Sequence, residues 1–596
     1  MSLYASPAAL NADAYKSGHF RQYPEGTTEL FFNLTARSDK YLNTPLEKDG
    51  IIVFGIQRFV QDYLVDHWNN TFFKRPKEEV IKETMLVMNG VLGEGTITPH
   101  HWEELHDLGY LPVVVDAVPE GTLLPIQVPT LCFRNTDPRF AWVAGYLEDA
   151  FSNELWKSIT IATIAFHYRR IMEKWADQTC DNNDHVCFQG HDFSLRGESG
   201  MNDGALNNVA HLSSFKGTDN FAAVYTANRV YGQGMDITEF GGSIPATEHS
   251  VMTANIAVNI HKMFGENADT GSAEQRLKGE LETFRQFLEE KYPSGLLSLV
   301  SDSYDYWRTI GSIAAHLRTV IMKRPGKLVF RPDSGNPFHV VCGYKAIHFD
   351  DAKQKILARM ENNPGYHGTL NIEYVKSIQE EDAHTLPHLD DWIAREGYEI
   401  LIWNEDMDGL QTLNLNTKEQ RHMVSEEIKG SVETLWEIFG GTQNNKGYKV
   451  LDPHVGLIYG DSITMEMADK ILSRLAEMGF ASSNIVFGVG SYTYQYITRD
   501  TLGFAVKATN MTCNGQELML CKEPVTDMGL KKSAKGCVVP MVDSIGEIYA
   551  VDGISLGKYD EMVVGGETLF KMVFYNGVTY NQENLKKIRE RVDFFI

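Results

Sequence analysis

Leu328-Val329-Phe330-Arg331-Pro332-Asp333-Ser334-Gly335 carries the decisive pattern. Three apolar residues suited to a buried strand break into a turn that holds a cation, a carboxylate and a glycine. The pattern recurs on both sides. Leu296-Leu297-Ser298-Leu299-Val300 runs into Ser301-Asp302-Ser303, Gly456-Leu457-Ile458-Tyr459 into Gly460-Asp461-Ser462, and Asn484-Ile485-Val486-Phe487 into Gly488-Val489-Gly490-Ser491. After the third run, Met467, Ile471, Leu475 and Met478 share a helical face, and Gly479 stands where a helix would end. Near-continuous apolar strands alternating with helices predict a parallel sheet or barrel covered on both faces. Such folds place their chemistry at the carboxyl ends of the strands. One polar turn there is unremarkable, but four carrying Asp, Arg and Gly point to a site.

Working outward, residues 1–185 mix short apolar runs with helical patterns and read as an α+β unit, which residues 501–596 are expected to complete around a catalytic unit at 186–500. The acidic stretch at about 340–430 breaks the rhythm and reads as an inserted subdomain. Within it Asn404, Asp406, Asp408 and Gly409 mimic the start of a calcium loop, but Leu415 occupies the position that needs a bidentate Glu. The 596 residues exceed a single ordinary core. No run approaches the roughly 20 apolar residues of a membrane helix, and no secretory signal pattern is visible. Seven scattered cysteines without ligand spacing read as reduced thiols and a cytoplasmic location. The net charge of −24 argues against a general nucleic-acid binder, so any site for a polyanion must concentrate its cations locally.

The chain has no GxxxxGK[ST] loop, no GxSxG, no HExxH and no complete GxGxxG; Gly488-Val489-Gly490 starts like the last of these, but Thr493 stands where its final glycine belongs. A strand-to-helix turn there still suits an anion. The cationic candidates are Arg37, Arg196, Arg331, Arg499, Lys507 and Lys522, with Arg499 expected on the helix after the Gly488 turn. Guanidinium forks suit phosphate and pyrophosphate. Asp302, Asp333 and Asp461 each follow a strand, where they serve either as ligands for ribose hydroxyls or hydrated Mg²⁺, or as N-caps of the next helix. His249, after Pro245-Ala246-Thr247-Glu248, reads on its own as a structural histidine.

Together these stretches resemble the nicotinamide phosphoribosyltransferases. The likeness rests on Asp13-Ala14-Tyr15-Lys16, Gln22-Tyr23-Pro24, His191-Asp192-Phe193 with Arg196-Gly197, Ala210-His211-Leu212 and Phe215-Lys216-Gly217-Thr218-Asp219. It continues through Glu248-His249-Ser250, Val300-Ser301-Asp302-Ser303-Tyr304-Asp305, Arg331-Pro332-Asp333-Ser334-Gly335-Asn336-Pro337, Gly460-Asp461 and Thr498-Arg499-Asp500. It spans nearly the whole chain apart from the insertion.

The resemblance implies an α/β fold of the type II phosphoribosyltransferase kind: an irregular α/β barrel with an α+β domain formed by both chain ends. It implies transfer of the phosphoribosyl group of phosphoribosyl pyrophosphate (PRPP) to nicotinamide, in a homodimer with its sites at the interface and without nucleic acid or membrane. Nicotinamide would stack between Phe193 and a partner's Tyr15, near Asp13, with Asp219 on its amide, Arg196 beside the ring and Ser298 in the pocket. Arg37, Arg331, Arg499, Lys507, Lys522, Gly460, Gly490 and Ser491 would face PRPP and its phosphates, with Asp302, Asp333 and Asp461 on the ribose and Asp302 and Asp333 next to Mg²⁺. His249, beside Glu248, would be the histidine that ATP phosphorylates. Asp219 would accept the amide N–H and repel a nicotinate carboxylate.

Two departures stand out. Ser491 and Tyr492 replace glycines of the family's turn, and Gly456 replaces an arginine. A nicotinate-using enzyme, a catalytically silent protein of the same fold and a sugar-phosphate hydrolase remain as alternatives.

Overall fold

The computed structural model describes residues 4, 6–343, 400–404, 409–414, 419–422, 425–460, 463–524 and 533–596. Asp461, Asp406, Asp408, Leu415 and most of the expected insertion lie outside the described residues. Two sheets organise the rest.

The first is a parallel sheet of six strands in the order Gly217–Thr218, Gly190–Asp192, Val486–Val489, Val455–Tyr459, Gly326–Arg331, Gly295–Val300. The four apolar runs read from the sequence are the last four of these. Leu297, Leu299, Leu328, Phe330, Leu457, Phe487 and Val489 are buried at 0–2% exposure, as a sheet covered on both faces requires. The sheet closes irregularly. Gly242 bridges Gly217 at one edge and Ala246 bridges Ser298 at the other, so residues 242–246 span the gap. Thr218 N donates to Gly242 O at 3.1 Å, and Ser298 exchanges backbone bonds with Pro245 O (2.9 Å) and Thr247 N (3.0 Å).

The second sheet is antiparallel and takes strands from both chain ends: Gln516–Met519, Ala505–Cys513, Thr27–Thr35, Pro129–Asn135, Val113–Ala117, Lys571–Tyr575, Val578–Thr579. Its third strand, Thr27–Thr35, buries Leu30, Phe31, Phe32, Asn33 and Leu34. Phe32 stacks on Phe133 (centroids 5.3 Å apart), and Phe133 stacks on Phe151 at 3.9 Å. Phe151 belongs to the helix Glu148–Thr179, which is buried along most of its 32 residues and packs on both the Ala505–Cys513 strand and the barrel helix Met465–Glu477.

Helix capping settles an ambiguity of the sequence. The helices after three barrel strands are capped by Asp305 onto Arg308 N, Asn336 onto Phe338 N and Thr464 onto Met467 N. Each cap sits three residues beyond the acidic position at the strand end. Asp302 and Asp333 are therefore not N-caps. The helix after Gly490 is shorter than expected. It spans Ser491–Gln495, and Arg499 opens a separate one-turn segment, Arg499–Thr501. The glycine replacements in this turn cost no strain: Gly490 is extended (φ −90°), and Ser491 and Tyr492 have ordinary negative φ. Gly456 lies in the amino-terminal half of its strand. A Cβ there would meet Lys327 Cδ at 3.3 Å, so a lysine stem from the neighbouring strand packs where an arginine was expected.

From the expected insertion, Ile400–Asn404, Gly409–Asn414 and Glu419–His422 form a small antiparallel sheet. All seven cysteines are free thiols. Among the described residues no helix is long and apolar enough to cross a membrane.

Candidate active site

The carboxyl ends of the parallel strands bring one group of side chains together. His191 and Phe193 leave their strand two residues apart and share a face. Their rings lie 4.6 Å apart. The Arg331 guanidinium sits 4.8 Å from the Phe193 ring centroid, and its Nη2 is 3.8 Å from Asp333 Oδ2. Arg331 Nε is buried without a partner among the described residues, which leaves a guanidinium edge ready for an acceptor. Bare backbone makes this packing possible. A Cβ on Gly488 would lie 2.8 Å from both Phe193 Cδ2 and Gly460 Cα, and one on Gly460 would lie 2.8 Å from Asp333 Oδ1.

Asp219 follows the edge strand. His191 Nε2–H donates to its Oδ1 at 2.9 Å, and the Ser243 hydroxyl donates to the same oxygen. Oδ2 accepts from no described residue. Burial pushes the Asp219 carboxyl up, but bonds from His191 and Ser243 and the charges of His191 and Arg331 override this and hold it below the usual carboxylate range. The site thus presents an ionised, acceptor-only carboxylate beside an aromatic face. Ser298 Oγ is buried with no partner among the described residues. The sequence reading places His191 in a stretch that carries the family likeness but assigns no role to it or to Ser243. The i, i+2 relation of His191 to Phe193 was a usable signal, whereas nothing local ties Ser243 to Asp219.

On the far side of the closing segment, His249 Nε2–H donates to Asp302 Oδ1 at 3.0 Å. Asp302 Oδ2 accepts from Asp333 N (2.9 Å) and Ser334 Oγ (2.6 Å). Asp302 is not open to direct coordination of Mg²⁺. Its side chain is 3% exposed and both oxygens carry protein hydrogen bonds that a metal would have to displace. Asp333 keeps open carboxylate surface, but among the described residues no three His, Cys, Asp or Glu side chains converge as a metal shell. Glu248 precedes His249 and accepts from the Ser250 hydroxyl.

The other cations gather elsewhere. Lys507, on the antiparallel sheet, is held below the usual lysine range by burial and by the charges of Arg37, Lys522 and Arg499, against the opposing pull of Glu148. Arg37 Nε donates to Gly503 O at 2.9 Å. Arg196 is exposed on the turn Leu195–Gly197, which packs on the Gly490 turn so closely that a Cβ on Gly197 would meet Ser491 Cβ at 2.5 Å. Asp13 and Tyr15 lie on the amino-terminal segment. Asp13 N donates to Asp149 Oδ2 at 2.8 Å, and the Tyr15 ring is 60% exposed and 5.4 Å from that of His19, not against Phe193 of its own chain.

Residues 188–386 and 421–576 match the nicotinate phosphoribosyltransferase (NAPRTase) family, and residues 8–85 match the nicotinamide phosphoribosyltransferase N-terminal domain. The chain belongs to the nicotinate phosphoribosyltransferase family. The segment 387–420 that the family leaves unmatched contains the strands Ile400–Asn404 and Gly409–Asn414. The nicotinamide phosphoribosyltransferase of Acinetobacter baylyi is 39% identical over 600 residues, covering 99% of this chain and 98% of the relative. The proteins of that name from Mycoplasma pneumoniae and Xanthomonas campestris are 29% and 26% identical, covering 87% and 99% of this chain and 92% and 99% of their own lengths.

Proposed function

We infer that this phosphoribosyltransferase transfers the phosphoribosyl group of PRPP to nicotinamide, releasing nicotinamide mononucleotide and pyrophosphate. The observation that carries the choice of base is Asp219, whose carboxylate is held ionised by His191, Ser243 and the charge of Arg331, which itself lies over the Phe193 ring, and whose two protein donors both go to Oδ1. An acceptor-only group favours the amide N–H and repels a carboxylate, and discrimination of that kind reaches the order of 10⁴-fold. Nicotinamide gains from aromatic stacking, about 0.5–1.5 kcal/mol per ring pair beyond area burial. Phe193 supplies one face, and the exposed Tyr15 is free to supply the other from a second copy of the chain, so a homodimer is part of the proposal.

Catalysis rests on positioning and on stabilising charge as the ribosyl centre loses pyrophosphate and the pyridine nitrogen attacks the opposite face. Arg331 offers its unpartnered edge to phosphate. Arg37, Arg499, Lys507 and Lys522 form a second cationic group for the phosphates, and Gly460, Gly490 and Ser491 let the chain approach the ligand. Mg²⁺ would arrive with the phosphates of PRPP and supply charge neutralisation, with Asp333 the open carboxylate near it. For ATP coupling, the support is that Asp302 holds Nε2–H of His249, so a neutral His249 keeps its Nδ1 lone pair to accept a phosphoryl group. We place the enzyme in the cytoplasm on its free thiols.

The test is to incubate the pure protein with PRPP, Mg²⁺ and either nicotinamide or nicotinate, with and without ATP, and to assay the mononucleotide. Product from nicotinamide is expected, with less from nicotinate and more with ATP. No product from either base refutes the activity; ATP-independent rates refute the role of His249 alone.

A further inference from the structure

The two donors on Asp219 Oδ1 have a consequence for base choice. An isolated half-buried carboxylate has two ways to accommodate either base. Ionised, it accepts the amide N–H of nicotinamide. Protonated, it becomes a donor and pairs with the carboxylate of nicotinate. Burial moves Asp219 toward the protonated form, so something has to oppose it. His191 is placed to do this. Its side chain is 11% exposed, its ring is wedged between Phe193 and the carboxylate, and its Nε2 is 2.9 Å from Oδ1. The backbone makes room for it: a Cβ on Gly217 would lie 2.9 Å from His191 Nδ1. Because an ionised carboxylate only accepts, Nε2 must carry the hydrogen in this pair. The bond also fixes the carboxylate plane. With Oδ1 taken by His191 and Ser243, Oδ2 is the oxygen left for substrate.

We propose that His191 is a positioning residue for base selection, holding Asp219 in the orientation and acceptor-only state that admit nicotinamide and exclude nicotinate. This rests on the phosphoribosyl-transfer reading above and extends it to a residue that need not touch the ribose or the phosphates.

Glutamine places its amide nitrogen about where His Nε2 lies, whereas asparagine is one methylene shorter and falls short of Oδ1. His191→Gln and His191→Asn therefore differ in reach and little in polarity. His191→Ala removes the donor outright. The experiment measures kcat and KM for both bases at saturating PRPP in the three variants, with thermal midpoints recorded alongside. For His191→Ala, the loss of a hydrogen bond to a charged group predicts a rise in nicotinamide KM of about tenfold or more. The kcat changes less, and the nicotinamide-to-nicotinate ratio of kcat/KM falls by a similar factor. His191→Gln recovers most of that ratio and His191→Asn does not. Should His191→Ala fail to fold, the Gln and Asn pair decides alone. Equal losses for both bases, or Gln and Asn variants with the same ratio as each other, overturn the proposal and leave His191 as packing. Wild-type protein that forms no mononucleotide from either base overturns the transferase reading itself and this proposal with it, an outcome distinct from the first.

Discussion

Arg331 touches three parts of the site: the Phe193 face, the Asp333 carboxylate and, through its charge, Asp219. Its Nε is buried without a partner among the described residues, which supports its proposed role as a phosphate contact. Lysine keeps the charge but loses the planar fork and the stacking. Arg331→Lys is expected to raise the KM for PRPP by roughly 10-fold to 100-fold, the size of one or two lost charged hydrogen bonds, and initial-rate kinetics at fixed nicotinamide measures it. An unchanged KM would remove Arg331 from the phosphate site. At this scale the sequence was informative where a residue ends an apolar run. Arg331, Asp333 and Asp302 were visible for that reason. His191 was legible only through its i, i+2 relation to Phe193, and Ser243 acts through a contact that no local pattern encodes, because it reaches Asp219 only after the chain has crossed the helix Phe221–Tyr231.

Among the elements, the helix Ala273–Gln286 carries a group that the reaction does not use. Glu280 is 2% exposed, and burial, aided by Asp305 and Asp302 against a hydrogen bond from Thr309, pushes its carboxyl up to about 8. The sign follows directly. A raised folded-state pKa means that the protonated form is preferred in the native protein. The associated stability is fully present below the ordinary value of 4.5 and is lost as pH rises toward about 8. Glu280→Gln removes the titration and keeps the shape. Its thermal midpoint is expected to match wild type near pH 5 and to exceed it at pH 8.5, measured by calorimetry across that range. A wild-type and variant difference that does not change with pH would show Glu280 to be ionised or solvated. The strands of the barrel were legible because each is a continuous apolar run. The closing segment 242–246 was not, because single bridges at Gly242 and Ala246 leave neither alternation nor an apolar run to read.

For the whole molecule, the carboxyl-terminal helix Leu585–Asp593 ties the chain end to the barrel. Arg589 donates to Leu212 O (2.7 Å), Glu239 O (2.6 Å), Phe215 O (3.4 Å) and Phe240 O, gathering the segments that flank Asp219 and the closing segment. Arg589→Met leaves these carbonyls without their donor, at about 1–3 kcal/mol for each one kept from water. It is expected to lower the thermal midpoint and to weaken nicotinamide binding together; loss of stability with base affinity intact would show that the clamp does not reach the site. That both chain ends build one sheet was expected from the family likeness alone. Pairing of Thr27–Thr35 with Ala505–Cys513 is non-local, and no composition or periodicity predicts it.

The central claim is that an ionised Asp219 beside Phe193 selects the uncharged pyridine, and the kcat/KM ratio for nicotinamide over nicotinate tests it most directly when wild type is compared with Asp219→Asn. Wild type is expected to favour nicotinamide by about 10³-fold or more, and the variant to lose most of that preference by accepting nicotinate, because the neutral amide no longer repels a carboxylate. A wild-type enzyme that uses nicotinate as well as nicotinamide, or an Asp219→Asn variant with the preference intact, would contradict the account.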